Sequence, residues 1–316
     1  MSLPVIELRT GLPILAVRSY LKPAVPEYPM SLPDLASWLR LEIASLNMQM
    51  LLVLFALALA ISSLGFYRVV YFISIGYAFS IVAMAAAVVV AFRQDLTAAA
   101  VLQNLLLAFW GLRLGIFLVR RELQPAYRAQ VAETYQRTAG LSFFIKVMIW
   151  ITVSLLYVLM FSPSLFVTAT PAVDRPASPG SLVQWLGLAI MVGALIMESL
   201  ADRQKSAFKA RHPRQFCDTG LYRWVRCPNY LGEILFWTGN WVAGLVFYTS
   251  PLRWLASLIG LICIVLIMLG STKRLEEQQN QRYGDMPEYQ EYVRSVPILV
   301  PYVRVFSFRN LRIYLG

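Results

Sequence analysis

The stretch RCPNYLGE at 226–233 sets an arginine, an asparagine, a tyrosine and a glutamate at the head of a long apolar run. Asn229 and Glu233 are four apart, so on a helix they share one face. The same spacing recurs at Glu198 and Asp202, near the end of an earlier apolar run. Arg113 stands inside a third run, about two helical turns deeper than Arg120 and Arg121. Lys273, Arg274, Glu276 and Glu277 directly follow the last run. Such groups are costly in hydrocarbon unless they have partners. Arginine and lysine suit phosphates, acids suit ribose hydroxyls, and aromatic side chains stack on rings. Phe208, Phe216, Tyr222, Trp224 and Tyr230 supply the aromatic part. The mixture fits a nucleotide cofactor, held without a Rossmann or P-loop glycine motif. It fits equally a cationic loop packed on its own helices, and composition alone leaves both open.

The elements that position these residues are read from hydropathy. The chain has 316 residues, 58% hydrophobic and 14% charged, against roughly 25% charged in a soluble domain. A crossing helix needs about 20 apolar residues. Seven runs meet that length: about 46–66, 70–92, 97–119, 142–168, 182–201, 230–249 and 252–271. The expected fold is an all-α multi-pass membrane helix bundle of about seven transmembrane helices, with its cofactor site on the cytoplasmic side. Residues 1–45 form an N-terminal segment, partly interfacial, where prolines break any long helix. Residues 46–180 carry the substrate-side spans, and 181–316 form the C-terminal part with the cofactor-binding loops.

Charge sets the orientation. Basic residues crowd the loops after the third and fifth spans and the tail after the seventh, whereas the opposite loops hold few. The positive-inside rule puts the N-terminus outside and the C-terminus in the cytoplasm, of the inner membrane if the cell is bacterial. The net charge of +11 therefore points to anionic lipid rather than nucleic acid. A single histidine, His212, argues against HExxH-type zinc sites and His-dependent triads, and no metal is expected. Three cysteines lack metal-ligand spacing and are read as free thiols.

The stretch ESLADRQKSAFKARHPRQFCDTGLYRWVRCPNYLGE resembles the C-terminal domain of the steroid 5-alpha-reductase family and its bacterial relatives. The family pattern runs E-x-x-A-D-x-Q-x-x-x-F-K, then G-L-W/Y-R-Y-x-R-H-P-N-Y-x-G-E. The matching positions are Glu198, Ala201, Asp202, Gln204, Phe208, Lys209, Gly220, Leu221, Tyr222, Arg223, Arg226, Pro228, Asn229, Tyr230, Gly232 and Glu233. The tail LEEQQNQRYGDMPEYQEYVRSVPILVPY is also similar, so the likeness covers roughly the last 120 residues. It implies NADPH held between helices from the cytoplasmic side. Glu198 and Asp202 would then meet the adenosine or ribose portion, Lys209 a phosphate, and Asn229 and Glu233 the nicotinamide end. Arg113 would correspond to the family's third-span arginine. Tyr222, Arg226, Tyr230 and Arg274 complete the expected cofactor set.

Two departures matter. Cys227 stands where the family usually has histidine. The second span has no acid, and Trp110 takes the place of a third-span tyrosine, although animal steroid reductases grip the substrate ketone with such a pair. Trp110 is accordingly expected on the substrate side. Tyr77 is the candidate catalytic donor, because a phenol with a reference pKa of about 10 stays protonated at pH 7. Ordinary helix packing is the competing reading of Tyr77. The expected reaction is reduction of an enone, foremost a 3-oxo-4-ene steroid, with sterol double bonds and enoyl thioesters as further substrates. The partners are a steroid-like or lipid substrate and membrane lipid. Two rivals stand beside it. Isoprenylcysteine and phospholipid methyltransferases, which use S-adenosylmethionine, share an R-H-P-x-Y-x-G core and a Glu-Glu pair that Glu276 and Glu277 would fit. A non-enzymatic binding protein would keep the fold without the chemistry.

Overall fold

The computed structural model describes residues 32–125, 127, 132, 135, 136, 138–171 and 180–310. The expected N-terminal segment falls mostly on residues outside that set. The described residues form helices and turns with no strand. A short helix, α1 (Leu32–Ser45), precedes α2 (Met48–Ser62). A 3-10 turn, Val69–Ile73, leads into α3 (Ile75–Ala91). Then come α4 (Ala98–Glu122), α5 (Phe143–Ala169), α6 (Gly180–Arg211), α7 (Pro228–Gly244), α8 (Pro251–Tyr283) and α9 (Pro287–Ser295). Side-chain caps fix three starts. Thr97 accepts from the Ala100 N–H, Ser142 from Ile145 and Ser250 from Arg253. Pro228 and Pro251 occupy first-turn positions, where proline's missing N–H costs nothing.

Six of the seven expected spans are helical stretches long and apolar enough to cross a membrane. The seventh, α7, has 17 residues and continues through a 3-10 turn, Leu245–Phe247. The ends of the bundle show that α7 crosses it. The Ser45 hydroxyl, just before α2, lies 2.9 Å from the Ser250 hydroxyl, just before α8. Arg253 also donates to the Ser45 carbonyl. At the other end Arg68, after α2, pairs with Glu122 at the end of α4, 3.2 Å away. Starting and finishing at the same end takes an even number of passages, and α2 to α6 make five.

Two helices overrun the hydropathy. The apolar runs stop near residues 201 and 271, but α6 continues to Arg211 and α8 to Tyr283. Their projecting ends are joined where the Lys209 ammonium donates to the Tyr283 hydroxyl and the Gln215 carbonyl. Helix α9 folds back onto them: Tyr289 donates to Asn280 at 2.8 Å and Tyr292 to the Tyr222 carbonyl at 2.7 Å.

Helices α6 and α7 form the tightest pair, and small residues permit it. A Cβ on Gly187 would lie 2.3 Å from the Ala243 nitrogen. One on Gly239 would lie 2.8 Å from the Gly187 oxygen, and one on Gly232 2.9 Å from the Glu198 Cβ. Such stripes let helix backbones approach in a membrane, where packing rather than hydrophobicity holds helices together. One apolar core, from Leu54 and Met84 through Phe161 to Phe236, joins helices from both halves of the chain.

Candidate functional site

Glu198 of α6 lies opposite Arg113 of α4. The Arg113 guanidinium donates to Glu198 Oε1 and, at 2.9 Å, to Asp202 Oδ2. The cation lies between the two acids and offsets their mutual repulsion. Glu198 is 3% exposed, so its charge depends on such partners. Its other oxygen, Oε2, accepts from the Trp110 indole N–H at 3.1 Å. Trp110 was expected on the substrate side; its ring lies in the core, stacked on Phe236 at 5.5 Å.

Tyr77 of α3 stands beside this group. Its hydroxyl donates to Glu233 Oε1 at 3.2 Å, and both residues are buried. The phenol ring stacks on Tyr157 at 5.1 Å and meets Trp110 edge-on at 5.1 Å. Trp237, one turn after Glu233, lies 6.2 Å from Tyr77 ring to ring. Sequence reading missed Trp237, Tyr157 and Phe236. Only the i, i+4 spacing of Glu233 and Trp237 could have flagged one of them. The Trp237 indole N–H is buried and without a hydrogen-bond partner.

The remaining expected residues divide between this group and the mouth of α7. Asn229 and Tyr230 sit in the first turn of α7, partly buried. Asn229 Oδ1, Arg113 Nε and Arg121 Nε are buried acceptor and donor atoms with no partner. These orphaned atoms are the kind a charged, hydrogen-bonding ligand would satisfy. Arg274 is exposed and donates to Ser271 at 3.2 Å. Lys209 is committed to Tyr283 and Gln215, well along the projecting part of α6. Tyr222 is buried, and its hydroxyl reaches the Ala201 carbonyl at 3.4 Å. Burial, then the charge of Asp202, pushes its pKa up.

Arg226 has a structural task. Its guanidinium pairs with Glu276 at 3.3 Å and donates to the Phe306 carbonyl. Glu276 in turn accepts from the Phe308 N–H at 2.9 Å. The Arg226 and Cys227 backbone N–H groups donate to the Pro297 and Ile298 carbonyls. Together these contacts clasp the tail to the mouth of α7. Cys227 is sealed beneath, and burial raises its thiol to about 11.

A second polar layer lies toward the opposite end of the bundle. Gln103 donates to Asn240 Oδ1 at 2.8 Å, and Asn240 donates to the Met160 carbonyl at 3.1 Å. Asn104 bonds Thr168 and Ser164. These contacts fix α4, α5 and α7 against one another. Between α5, α7 and α8, Met160, Trp237, Trp241, Ser257 and Leu261 line a crevice with no room for a water molecule.

The family profile described as "Protein of unknown function (DUF1295)" matches residues 64–296, well over half of the chain. The match runs from just after α2 through α9 and contains the Arg113, Tyr77 and Glu233 groups. One curated relative, "Uncharacterized protein C594.04c" of Schizosaccharomyces pombe, is 28% identical over 129 residues, 34% of this chain. The chain spans 37% of that relative's length. No solved structure matches.

Proposed function

The chain belongs to the DUF1295 family, a membrane family that is steroid 5-alpha-reductase-like in general terms, and from that premise we propose that it is an NADPH-dependent reductase. The bond reduced is a carbon–carbon double bond conjugated to a carbonyl in a hydrophobic substrate, foremost a 3-oxo-4-ene steroid giving its 5-alpha product. One observation carries the reading. Tyr77 was singled out as the hydrogen-bond donor to the substrate carbonyl and Glu233 as the acid at the nicotinamide end, and the two meet in one buried hydrogen bond.

Bound NADPH supplies the hydride to the β carbon of the enone. Arg113, Asn229 and Glu233 would hold it, with Tyr230 and Arg274 nearer the mouth of α7. The three orphaned atoms fit such a ligand. The chain's own part is orientation and charge stabilisation. Tyr77 turns its O–H from Glu233 to the substrate carbonyl, where it stabilises the developing enolate. A tyrosine or water delivers the proton to the α carbon. The rings of Tyr157, Trp110 and Trp237 exclude bulk water around that hydroxyl. The crevice beside Trp237 has no room for a water molecule and cannot hold a substrate as it stands. Substrate entry from the bilayer therefore requires the aromatic cluster to part. In the proposed orientation the N-terminus is outside and the mouth of α7 faces the cytoplasm.

Thermal unfolding of the detergent-purified protein with NADPH, NADH and S-adenosylmethionine in parallel tests the reading. A ligand that binds only the folded state adds about 2.7 kcal/mol at 100 times its dissociation constant. Stabilisation by NADPH, with NADPH-dependent loss of the enone absorbance, is the expected result. Stabilisation by S-adenosylmethionine alone would transfer the site to a methyltransferase of the isoprenylcysteine or phospholipid type.

A further inference from the structure

After α9 the chain returns from the projecting helices to the mouth of α7. The Pro297 and Ile298 carbonyls accept the Arg226 and Cys227 N–H groups, two and one residues before α7 begins. With 17 helical residues and a three-residue extension, α7 is barely long enough to cross. Its first residue therefore lies at the membrane boundary, and so does the loop pinned there. That loop turns back on itself, with the Ile298 N–H donating to the Val305 carbonyl at 3.0 Å.

The two faces of the loop differ. Ile298 and Leu299 are buried against Val225, Cys227 and Leu231. Val300, Tyr302, Val303 and Val305 point outward and are exposed, Tyr302 by 83%. Trp224, 57% exposed, meets the Tyr302 ring edge-on at 6.1 Å. Arg223, Arg304 and Arg309 lie exposed around this patch. Tyr302 also holds φ +64°, a left-handed conformation that disfavours any residue with a Cβ and is ordinarily given to glycine or asparagine. A strained backbone that presents a bare aromatic ring is accounted for if the ring has a partner.

We infer that Trp224 and the 298–305 loop form a docking element for the surface of an anionic phospholipid leaflet. Trp and Tyr favour the headgroup level, where one end of the ring is apolar and the other wet. The valines reach the acyl boundary and the three arginines meet the phosphates, each such charge adding affinity near an anionic surface. Because the Arg226–Glu276 clasp joins the same loop to α7, docking also fixes the mouth of the candidate site. The inference stands apart from the proposed reductase activity.

Site-specific fluorescence tests it. Val303→Cys in a Cys263→Ser background leaves Cys217 and Cys227 buried, so an environment-sensitive thiol dye reports on residue 303. The protein is reconstituted in phosphatidylcholine vesicles with and without phosphatidylglycerol. Expected are blue-shifted emission, quenching by lipids spin-labelled near the headgroup, and stronger quenching with phosphatidylglycerol. Arg304→Glu with Arg309→Glu should remove the phosphatidylglycerol dependence. Tyr302→Gly should weaken the quenching while raising the thermal midpoint in detergent, because it relieves the backbone strain. Emission that is solvent-like in both vesicle types would overturn the inference. So would energy transfer between labelled copies without lipid quenching, which would assign the patch to a second copy of the chain.

Discussion

The Tyr77 hydroxyl donates to Glu233 Oε1 at 3.2 Å across the α3–α7 contact. These residues are 156 positions apart, and they join the half of the chain that lacks a legible motif to the half that carries one. Tyr77 is held by three rings, Tyr157, Trp110 and Trp237. Glu233 is held one turn below Trp237 on a helix pressed against Glu198. A carboxyl group there can orient a phenol without water, as a hydrogen-bond donor to a developing enolate needs.

Tyr77→Phe keeps the ring stacks and removes the O–H. Under the proposed chemistry, turnover of an enone should fall by about 10²- to 10³-fold, the usual cost of removing one oxyanion donor. NADPH-induced thermal stabilisation should persist. Glu233→Ala should abolish turnover and reduce that stabilisation as well, while the folded protein is retained. Steady-state kinetics and melting curves on the two variants separate the roles. Equal activity of Tyr77→Phe and wild type would remove Tyr77 from the reaction.

Arg113 carries the charge balance of the site. Arg113→Ala leaves Glu198, 3% exposed, and Asp202 facing each other without a cation. Breaking a buried pair in this way costs about 3 kcal/mol or more. The triple change Arg113→Met, Glu198→Gln, Asp202→Asn removes all three charges and should restore most of the stability, because no unpaired charge remains. It should not restore NADPH binding. Denaturation in detergent and ligand titration on the single and triple variants read the two effects separately.

Much of the fold was legible because hydrophobic runs measure the bilayer. Hydropathy located every span, and the first-turn proline and the i, i+4 pairs placed Asn229, Glu233, Glu198 and Asp202 on the correct helices. Helix ends were not legible at Arg211 and Tyr283, because an apolar run stops at the membrane surface and a helix need not. Cross-helix partners were not legible either. Nothing local announces that Trp110, Arg113 and Glu198 converge, since they sit on α4 and α6, 85 or more positions apart. Arg226 is the instructive case: motif and charge suggest a ligand contact, and the guanidinium reaches Glu276 and the tail through Nη2 while its Nε stays without a partner.

The glycine stripe can be tested directly. A Cβ at position 239 would lie 2.8 Å from the Gly187 oxygen and the Met191 nitrogen, both backbone atoms that cannot rotate away. Gly239→Ala should therefore separate α6 from α7 and destabilise the protein by about 1–3 kcal/mol, the usual cost of overpacking. Gly193 has open space around it, and Gly193→Ala should be neutral or slightly stabilising through helix propensity. The difference between the two midpoints in detergent is the measurement.

Cys227 should make the protein sensitive to alkali. Burial first raises its thiol from 9.0 to about 11, against the opposing charges of Lys205 and Arg226. In the unfolded chain the thiol ionises earlier, so between pH 9 and about 11 the unfolded state binds fewer protons than the folded one. Stability is then fully present below pH 9 and falls as pH rises through that window. Two pH units correspond to about 2–3 kcal/mol. Cys227→Ala lacks the ionisation, and its thermal midpoint should fall less than that of wild type between pH 8.5 and 10.5. The same burial should keep Cys227 unreactive toward N-ethylmaleimide at pH 8 until the protein is denatured, when the count of labelled thiols rises. Parallel melting curves for wild type and Cys227→Ala would contradict the sealed position of this thiol beneath the Arg226–Glu276 clasp.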